Sequence, residues 1–193
     1  MLSLKNSLKV LKKTNALLEG HFVLSSGLHS AHYVQCAKLL SYPKYSNKFV
    51  KSLASKIKKK IKKIDVILSP AMGGIIIGYE IGKLLNKEAI FCERVKNKFT
   101  LRRGFSIKKN SKVLIVEDVI TTGKSSLECV NLIKKSNAKL VGFACLIDRS
   151  NNKKIKHQII SQVKLNIPTY SKKNLPAHIK FIPVTKQGTR FLK

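Results

Sequence analysis

Negative charge is scarce in this sequence. Nine aspartates and glutamates stand against 39 lysines and arginines in 193 residues, which gives a formal net charge of +30. Such a surplus raises the question of a nucleic-acid partner. It is mostly lysine scattered along the chain, however, and the densest stretch, residues 51–63, keeps Leu53, Ile57, Ile61 and Ile64 at helical spacing. A solvated helix face explains the lysines better than a nucleic-acid surface does, so we expect no nucleic-acid partner.

Long hydrophobic runs and paired cysteines are also missing. Apolar stretches such as residues 71–79 and 113–116 are too short to cross a bilayer, and the N-terminus lacks the long apolar segment of a signal peptide. The four cysteines lie far apart, without a CxxC pair or a zinc-like spacing with histidine. We therefore expect buried free thiols in a cytoplasmic protein, no membrane partner, and the five histidines in loops or at the surface.

Helical and strand patterns alternate from residue 65 to residue 148, and the strands are apolar throughout. This pattern predicts a parallel sheet covered by helices on both faces. Because ligands of such sheets bind at the carboxyl ends of the strands, we expect one site where SPAMGG, EDVITTGKS and LIDRS follow their strands. The predicted elements are helices 3–18, 43–62, 75–86 and 124–136, strands 22–24, 33–36, 65–68, 89–95, 113–116, 140–147 and 162–167, and a basic, turn-forming segment at 96–109.

The motif EDVITTGKS covers residues 117–125. An apolar strand ends in two adjacent carboxylates, and a glycine-containing turn then opens a helix. The hydroxyls of the motif and the N–H groups around Gly123 predict a phosphate site at the positive end of a helix dipole. The carboxylates of Glu117 and Asp118 suit the vicinal hydroxyls of a ribose. A Walker A loop is excluded, since the position five residues before Gly123 is Asp118 and not glycine.

Four stretches in order along the chain carry a family resemblance. VLIVEDVITTGKS resembles the phosphoribosyl-pyrophosphate (PRPP) signature of the type I phosphoribosyltransferases. Within that family, FVLSSGLHSAHYV, SPAMGGIIIGYEIG and ERVKNKFTLRRGF resemble segments of the orotate phosphoribosyltransferases. The resemblance runs from about residue 22 to residue 149. It implies an α/β fold with a mostly parallel central sheet, helices on both faces and a small hood formed by the N-terminal segment.

The resemblance also implies an organisation. Residues 1–193 would form a single domain, with an N-terminal helix and hood at about 1–40, a core at about 43–150 and a mobile loop at about 95–108. The loop would close over the substrate and be shared across the subunits of a homodimer. The implied reaction transfers the 5-phosphoribosyl group from PRPP to orotate, giving orotidine 5′-phosphate and diphosphate in pyrimidine (UMP) biosynthesis. Mg²⁺ is the implied cofactor, with no protein side chain as a direct ligand.

Residue roles follow from the same resemblance. SPAMGG would be the diphosphate loop, often with a strained non-proline peptide, and Gly73 stands where some relatives have lysine. Asp118 and Lys98 would be catalytic, and Arg94 would contact the diphosphate. Thr121 and Arg149 would bind orotate. The residues expected to bind PRPP are Arg94, Glu117, Asp118, Val119, Ile120, Thr121, Thr122, Gly123, Lys124 and Ser125.

The base pocket has a chemical rationale. Orotate carries a carboxylate, and an arginine can bind a carboxylate with two parallel N–H groups. Tyr33 and Val34 would form part of the wall around the base, and Ser25 would face it. Transfer to another base remains an alternative, as does a nucleic-acid-binding regulator built on the same fold. Each motif also has a structural alternative: an ordinary N-cap, a plain βα turn, a basic hairpin without a catalytic role, or a surface salt bridge.

Overall fold

The computed structural model describes residues 1–24, 26–150, 155 and 157–186. The longer helices each bury one apolar face, and most strands of the larger sheet are buried along their length. In chain order the elements are α1 (Leu4–Lys13), β1 (Leu17–Val23), β2 (His29–Val34), α2 (Cys36–Leu40), α3 (Pro43–Lys60), β3 (Val66–Pro70), α4 (Gly74–Leu85), β4 (Glu88–Val95), β5 (Lys98–Leu101), β6 (Lys112–Ile120), α5 (Lys124–Lys135), β7 (Lys139–Asp148), β8 (Ile159–Lys164), a 3-10 turn (Lys172–Asn174), α6 (Ala177–Lys180) and β9 (Val184–Lys186).

A six-stranded sheet with the order β5-β4-β3-β6-β7-β8 forms the centre. Every pairing is parallel except that of β4 with β5, which form a hairpin. Successive side chains point to opposite faces, so Ile67 and Leu114 pack towards α3 and α4, while Leu68 and Ile115 pack towards α5. The predicted parallel sheet with helices on both faces is confirmed.

A smaller sheet, β2-β1-β9, forms the hood. β1 pairs antiparallel with β2 and parallel with β9. The N-terminal part of this hood was expected, whereas β9 comes from the far end of the chain and was not predicted. His21 and His29 lie in the hood, are 3% and 7% exposed, and are joined by a 2.6 Å hydrogen bond between ring nitrogens. The prediction that all histidines lie in loops or at the surface is therefore wrong for these two.

Several predicted boundaries need correction. The first helix ends at Lys13, because Asn15 adopts a left-handed φ of 52° and the chain then enters β1. Leu4, the first residue of α1, is 56% exposed. The last predicted strand, 162–167, is β8 at Ile159–Lys164, which joins the main sheet outside the 43–150 limits expected for the core.

The basic segment 96–109 is more regular than expected. Lys96 and Asn97 form a two-residue turn with φ values of 46° and 63°, so the segment begins as the hairpin of β4 and β5. Two successive residues with positive φ give a turn whose twist matches that of the paired strands. Only residues 102–111 of this region are irregular.

Other expectations from composition are met. All four cysteines are buried and free. The lysines of α3 at 51, 58, 59 and 60 are exposed, while Leu53 and Ile57 on the opposite side of this helix are fully buried. Ile61 and Ile64 lie beyond the last residue of α3. Within the described residues, no helix is both long and apolar enough to span a membrane.

Candidate active site

Three neighbouring strands, β3, β6 and β7, bring their carboxyl ends together. The segments that follow them are the ones that the sequence singled out: residues 71–73, residues 121–123 and Arg149. The backbone N–H of Arg149 donates to the Ile120 carbonyl oxygen at 2.8 Å, which ties the end of β7 to the end of β6. One site at this edge of the sheet is thus formed from three separate motifs.

The turn after β6 leads directly into α5. Gly123 is the N-cap of this helix and has a left-handed φ of 71°, where a side chain would be strained and would collide with Ile155. Thr121, Thr122 and Lys124 are exposed, and Thr122 Oγ1 accepts a 3.4 Å hydrogen bond from the Lys124 N–H. The twelve-residue helix directs its first N–H groups at this turn. Hydroxyls, backbone amides and a helix N-terminus therefore come together at this turn, which is the combination of groups that binds phosphate.

Glu117 is the buried member of the acidic pair. It is 9% exposed, and its carboxylate accepts a hydrogen bond from the Ser126 hydroxyl. Burial raises the pKa of Glu117 to about 7; the Ser126 hydrogen bond lowers it and the neighbouring Asp118 raises it further. This acid therefore changes its charge near neutral pH.

Asp118 lies between the phosphate turn and the SPAMGG loop. Its Oδ1 accepts a 2.8 Å hydrogen bond from the Val119 N–H. Burial raises the pKa of Asp118, and the backbone hydrogen bonds from Val119 and from its own N–H oppose the rise. A Cβ on Gly73 would lie 2.8 Å from both carboxylate oxygens, so the missing side chain makes room for this acid. The Ala71–Met72 peptide beside it is cis.

Arg149 follows β7 at the same edge of the sheet, near Tyr33 and Cys36. Its Nε is buried and has no hydrogen-bond partner among the described residues. Burial lowers the pKa of Arg149, while the nearby Tyr33 and Cys36 raise it. Burial raises the pKa of Tyr33, which Arg149 lowers and Asp118 raises. The hood therefore brings the Tyr33 phenol close to both Arg149 and Asp118. Val34 is 6% exposed beside it, and Ser25 lies outside the described residues.

The arginines of the β4–β5 hairpin region pair with acids other than Glu117 and Asp118. The Arg94 guanidinium forms an ion pair with Glu128 of α5 at 2.8 Å, donates to the Asn97 carbonyl oxygen at 3.0 Å and lies 4.1 Å from the ring centroid of Phe99. Lys98 is exposed at the start of β5. In the described part of the chain, no hydrogen bond or ion pair joins either residue to the two acids of β6. Arg102 and Arg103 both pair with Glu93.

Comparison with known proteins identifies the family. The family model "Phosphoribosyl transferase domain" matches residues 44–180. The chain is 45% identical over 181 residues to the orotate phosphoribosyltransferase of Erythrobacter litoralis, covering 93% of this chain and 94% of the relative. It is 45% identical over 187 residues to that of Parvibaculum lavamentivorans, covering 96% of each. This chain belongs to the orotate phosphoribosyltransferase family.

Solved structures agree with the fold. The orotate phosphoribosyltransferase of Aeropyrum pernix superposes with a TM-score of 0.73 at 23% identity, covering 81% of this chain and 92% of that one. That of Francisella tularensis has a TM-score of 0.56 at 27% identity, with 74% and 68% covered. The fold of this orotate phosphoribosyltransferase family member is thus the type I phosphoribosyltransferase fold that the sequence led us to expect.

Burial limits which side chains of the PRPP motif, residues 117–125, a ligand can reach. The Ile120 side chain is 1% exposed in the core and Val119 is half-buried, so Ile120 can offer a ligand only its backbone. Ser125 is half-buried at the start of α5. The exposed side chains of the motif are those of the two threonines and Lys124, while Ser125 and Asp118 are half-buried and Glu117 is buried.

A metal ion fits this site only together with a phosphorylated substrate. No group of three or more His, Cys, Asp or Glu side chains in the described ranges is arranged to hold a metal. Mg²⁺ in phosphate-handling sites is usually held by substrate phosphates, waters and one or two carboxylates. The adjacent acids Glu117 and Asp118 supply the negative charge that such an ion needs nearby, which agrees with a metal carried by the substrate.

Sequence reasoning missed two residues that contact the predicted ones. Ser126 holds Glu117, and Glu128 holds Arg94. A signal for the first was present: Ser126 shares the buried face of α5 with Cys129 and Ile133 at helical spacing, and a polar residue on such a face needs a partner. Glu128 gives no comparable signal, because its partner comes from a hairpin elsewhere in the sheet.

Proposed function

We propose that this protein transfers the 5-phosphoribosyl group of PRPP to orotate, which gives orotidine 5′-phosphate and diphosphate and serves pyrimidine (UMP) biosynthesis. The observation that carries the proposal is the buried Nε of Arg149, which has no hydrogen-bond partner among the described residues and lies on a guanidinium near Tyr33, at the sheet edge that also carries Asp118 and the phosphate turn. A guanidinium with a free N–H next to a ribose phosphate site is a receptor for a base that bears a carboxylate. Among the pyrimidine bases, orotate has that group and uracil does not.

Different residues of the site would bind the phosphate, the ribose and the base. The 5-phosphate would bind the amides around Gly123 and the hydroxyls of Thr121, Thr122 and Ser125, with Lys124 beside them. Glu117 and Asp118 would accept hydrogen bonds from the ribose hydroxyls. Thr121 and Arg149 would hold orotate against Tyr33. N1 of orotate and the departing diphosphate would then lie on opposite sides of the anomeric carbon, so that positioning would supply much of the rate enhancement.

Electrostatic stabilisation of the transition state would supply the rest of the rate enhancement. As diphosphate leaves, the ribose ring gains oxocarbenium-like positive charge, and Asp118 is the carboxylate placed to stabilise it. Negative charge grows on the diphosphate, which the backbone amides of residues 71–74 and cations of the hairpin would meet. Mg²⁺, when bound with PRPP, would offset negative charge on the diphosphate, and Glu117 and Asp118 would supply the nearby negative charge that helps to hold it. No covalent enzyme intermediate is required.

The hairpin cations support a shared site in a homodimer. Arg94 pairs with Glu128, and no described contact joins Lys98 to the acids of its own chain, so their proposed roles at the diphosphate would be met if the closed loop, about 95–108, and Arg94 beside it reached a second subunit. Met72 in the diphosphate loop and Ile76 and Tyr79 on the following helix α4 are 81%, 55% and 62% exposed and form an apolar stripe, in which the two helical residues lie about one turn apart. A second copy of this chain is the proposed occupant of that stripe.

Subunit complementation tests the shared site. Asp118→Asn chains and Lys98→Ala chains would each be nearly inactive alone. If the hairpin acts in the partner, refolding an equal mixture should restore about a quarter of wild-type activity, because half of the dimers are hybrids with one intact site. A mixture that stays inactive, with dimers confirmed by light scattering, would place Lys98 in its own subunit or outside catalysis.

A cytoplasmic location is the remaining proposal. It is supported by the four buried free thiols, of which Cys92 and Cys129 have sulfurs 3.4 Å apart, since an oxidising compartment favours joining such neighbours. Cell fractionation with a cytoplasmic and a membrane marker would check it. Recovery of the protein with the membrane fraction at physiological salt would contradict it.

The decisive experiment is a turnover assay on the purified chain. Orotate absorbance should fall only when both PRPP and Mg²⁺ are present, with orotidine 5′-phosphate and diphosphate formed in equal amounts. Adenine, hypoxanthine and uracil, offered at the same concentration, should give no nucleotide. Turnover of one of these bases instead of orotate would assign another phosphoribosyltransferase activity. Steeply salt-dependent binding to RNA or DNA without turnover of any base would favour a regulator.

A further inference from the structure

Ser126 occupies an unusual place for a serine. It is the third residue of α5, is 0% exposed, and lies on the same helix face as the buried Cys129 and Ile133. A serine in or beside a helix commonly bonds to a carbonyl of the preceding turn. Ser136, at the other end of this helix, does so with the Leu132 carbonyl oxygen at 3.0 Å. The Ser126 hydroxyl instead donates across to the Glu117 carboxylate on β6.

The surroundings of Glu117 make this hydrogen bond important. The titratable groups that face the carboxylate are Asp118 on β6, Cys129 on α5 and Cys145 on β7. None of these is a cation, and no lysine or arginine in the described ranges forms an ion pair with Glu117. A buried carboxylate without a cation is costly unless hydrogen bonds stabilise its charged form. Ser126 supplies such a bond.

The bond also leaves part of the carboxylate available. Ser126 engages Oε1. An ionised carboxylate has about four acceptor positions on its two oxygens, so Oε2 and the remaining lone pair of Oε1 can accept hydrogen bonds from a ligand. Because α5 is the helix whose N-terminus forms the phosphate turn, the same helix both offers the phosphate site and fixes the acid beside it.

We propose that Ser126 is a positioning residue of the transfer reaction, whose hydroxyl fixes the Glu117 carboxylate in the orientation that accepts hydrogen bonds from the ribose hydroxyls of PRPP. The inference rests on the proposed function, in which Glu117 binds the ribose. It concerns PRPP and not the base. Ser126 therefore affects the binding of one substrate through a neighbour, without touching either substrate.

The test compares Ser126→Ala, which removes the donor, with Ser126→Thr, which retains a hydroxyl, and Ser126→Cys, which fills the space with a weak donor. Ser136→Ala is the matched control on the same helix. We expect Ser126→Ala to lower kcat/KM for PRPP by about ten-fold or more, the usual size for a hydrogen bond to a charged group. The KM for orotate should stay within about two-fold of wild type. Ser126→Thr should recover activity, and Ser126→Cys should lie between.

Two readouts separate positioning from a structural role. Removing the donor should shift the acid limb of the pH profile of kcat/KM for PRPP to higher pH, because the hydrogen bond favours the ionised form of Glu117. In a Glu117→Gln background, Ser126→Ala should change PRPP binding by less than about two-fold, since both residues act as a unit. Calorimetric titration with PRPP provides this measurement even where turnover is too slow.

Opposite results would overturn the inference. A Ser126→Ala loss that is equal in the Glu117→Gln background, or that weakens PRPP and orotate alike, would make Ser126 a packing residue only. A Glu117→Gln chain that binds PRPP as well as wild type would also refute it. The proposed function would survive that result, because orotate turnover by the wild-type protein is measured separately.

Discussion

The phosphate turn and the β4–β5 hairpin are both charged segments at the same edge of the sheet, yet they are held in opposite ways. In the turn, the acids of β6 accept hydrogen bonds from Ser126 and from the Val119 N–H, and at the same edge of the sheet the Arg149 Nε has no partner among the described residues. In the hairpin, the three arginines are already paired, Arg94 with Glu128 and the other two with Glu93. The first region leaves a buried guanidinium N–H without a partner among the described residues, whereas the arginines of the second are already engaged by carboxylates of their own chain.

The turn is preorganised for a ligand, whereas the hairpin cations must leave their present partners before they can bind one. The acids of the turn sit in a buried environment that raises their pKa values, a cost that the Ser126 and Val119 hydrogen bonds offset in part and that a ligand's hydroxyls would offset further. The ion pairs of the hairpin are partly exposed, and such pairs are worth about 0–1 kcal/mol. They can therefore be exchanged for contacts with a diphosphate at little cost. Substitutions in the turn should accordingly have larger effects than those at the partners of the hairpin.

The largest effect should follow from Asp118→Asn. Loss of the carboxylate that faces the ribose should lower kcat by about a hundred- to a thousand-fold, as for other preorganised groups that stabilise developing charge. The fold should not suffer, because a neutral amide replaces a buried acid whose pKa is raised. Thermal unfolding and steady-state kinetics on one preparation measure both. Unchanged turnover would show that Asp118 has no catalytic role, and the proposed difference between the turn and the hairpin would then be wrong.

Arg149→Ala should act mainly on one substrate. A lost charge-assisted contact with the orotate carboxylate costs about 1.5–3 kcal/mol, so the KM for orotate should rise by about ten- to a hundred-fold. The KM for PRPP should change little. Arg103→Ala, which removes an arginine paired with Glu93 on the hairpin, is the matched control for total charge. If both variants weakened both substrates equally, general electrostatic attraction would replace the specific contact.

Gly73→Ala should have an intermediate effect that depends on Asp118. The new Cβ would approach both carboxylate oxygens to 2.8 Å, and the end of a side chain moves more easily than backbone. The protein should therefore fold normally while kcat falls about ten-fold through displacement of the acid. In an Asp118→Asn background, the same substitution should have little further effect on kcat. An additive loss would show that the loop itself, and not the acid, was disturbed.

These cases also show how far sequence reasoning reaches. The turn could be predicted because residues 117–125 carry acids, hydroxyls and glycine in one continuous segment, and chain connectivity alone brings them together. The location of Arg149 at the site could be predicted from the rule that ligands bind at the carboxyl ends of parallel strands. The pairing of Arg94 with Glu128 could not be predicted, because it depends on how a hairpin packs against a helix from the next part of the chain. The buried His21–His29 pair likewise depends on strand register within the hood.

The pH dependence should distinguish Glu117 from the hairpin. With a pKa of about 7, Glu117 loses its charge below neutral pH, so kcat/KM for PRPP should fall up to about ten-fold per pH unit there. Glu117→Gln should flatten this limb. Stability should change in the opposite sense: a raised pKa favours the folded state at low pH, and this contribution declines between about pH 4.5 and 7. An acid limb that persists in Glu117→Gln would assign it to the substrate phosphate.

The smallest effect should come from Glu128→Gln, which releases Arg94 without removing it. The ion pair joins side chains that are 37% and 28% exposed, so its loss should change the free energy of unfolding by less than about 1 kcal/mol. Turnover should stay within about two-fold of wild type, because Arg94 leaves Glu128 whenever it serves the diphosphate. Arg94→Ala should instead lower kcat, since the cation itself is gone. If the two variants lost activity equally, the Arg94–Glu128 ion pair itself would be required for turnover. Arg94 would then act by supporting α5 and its phosphate turn.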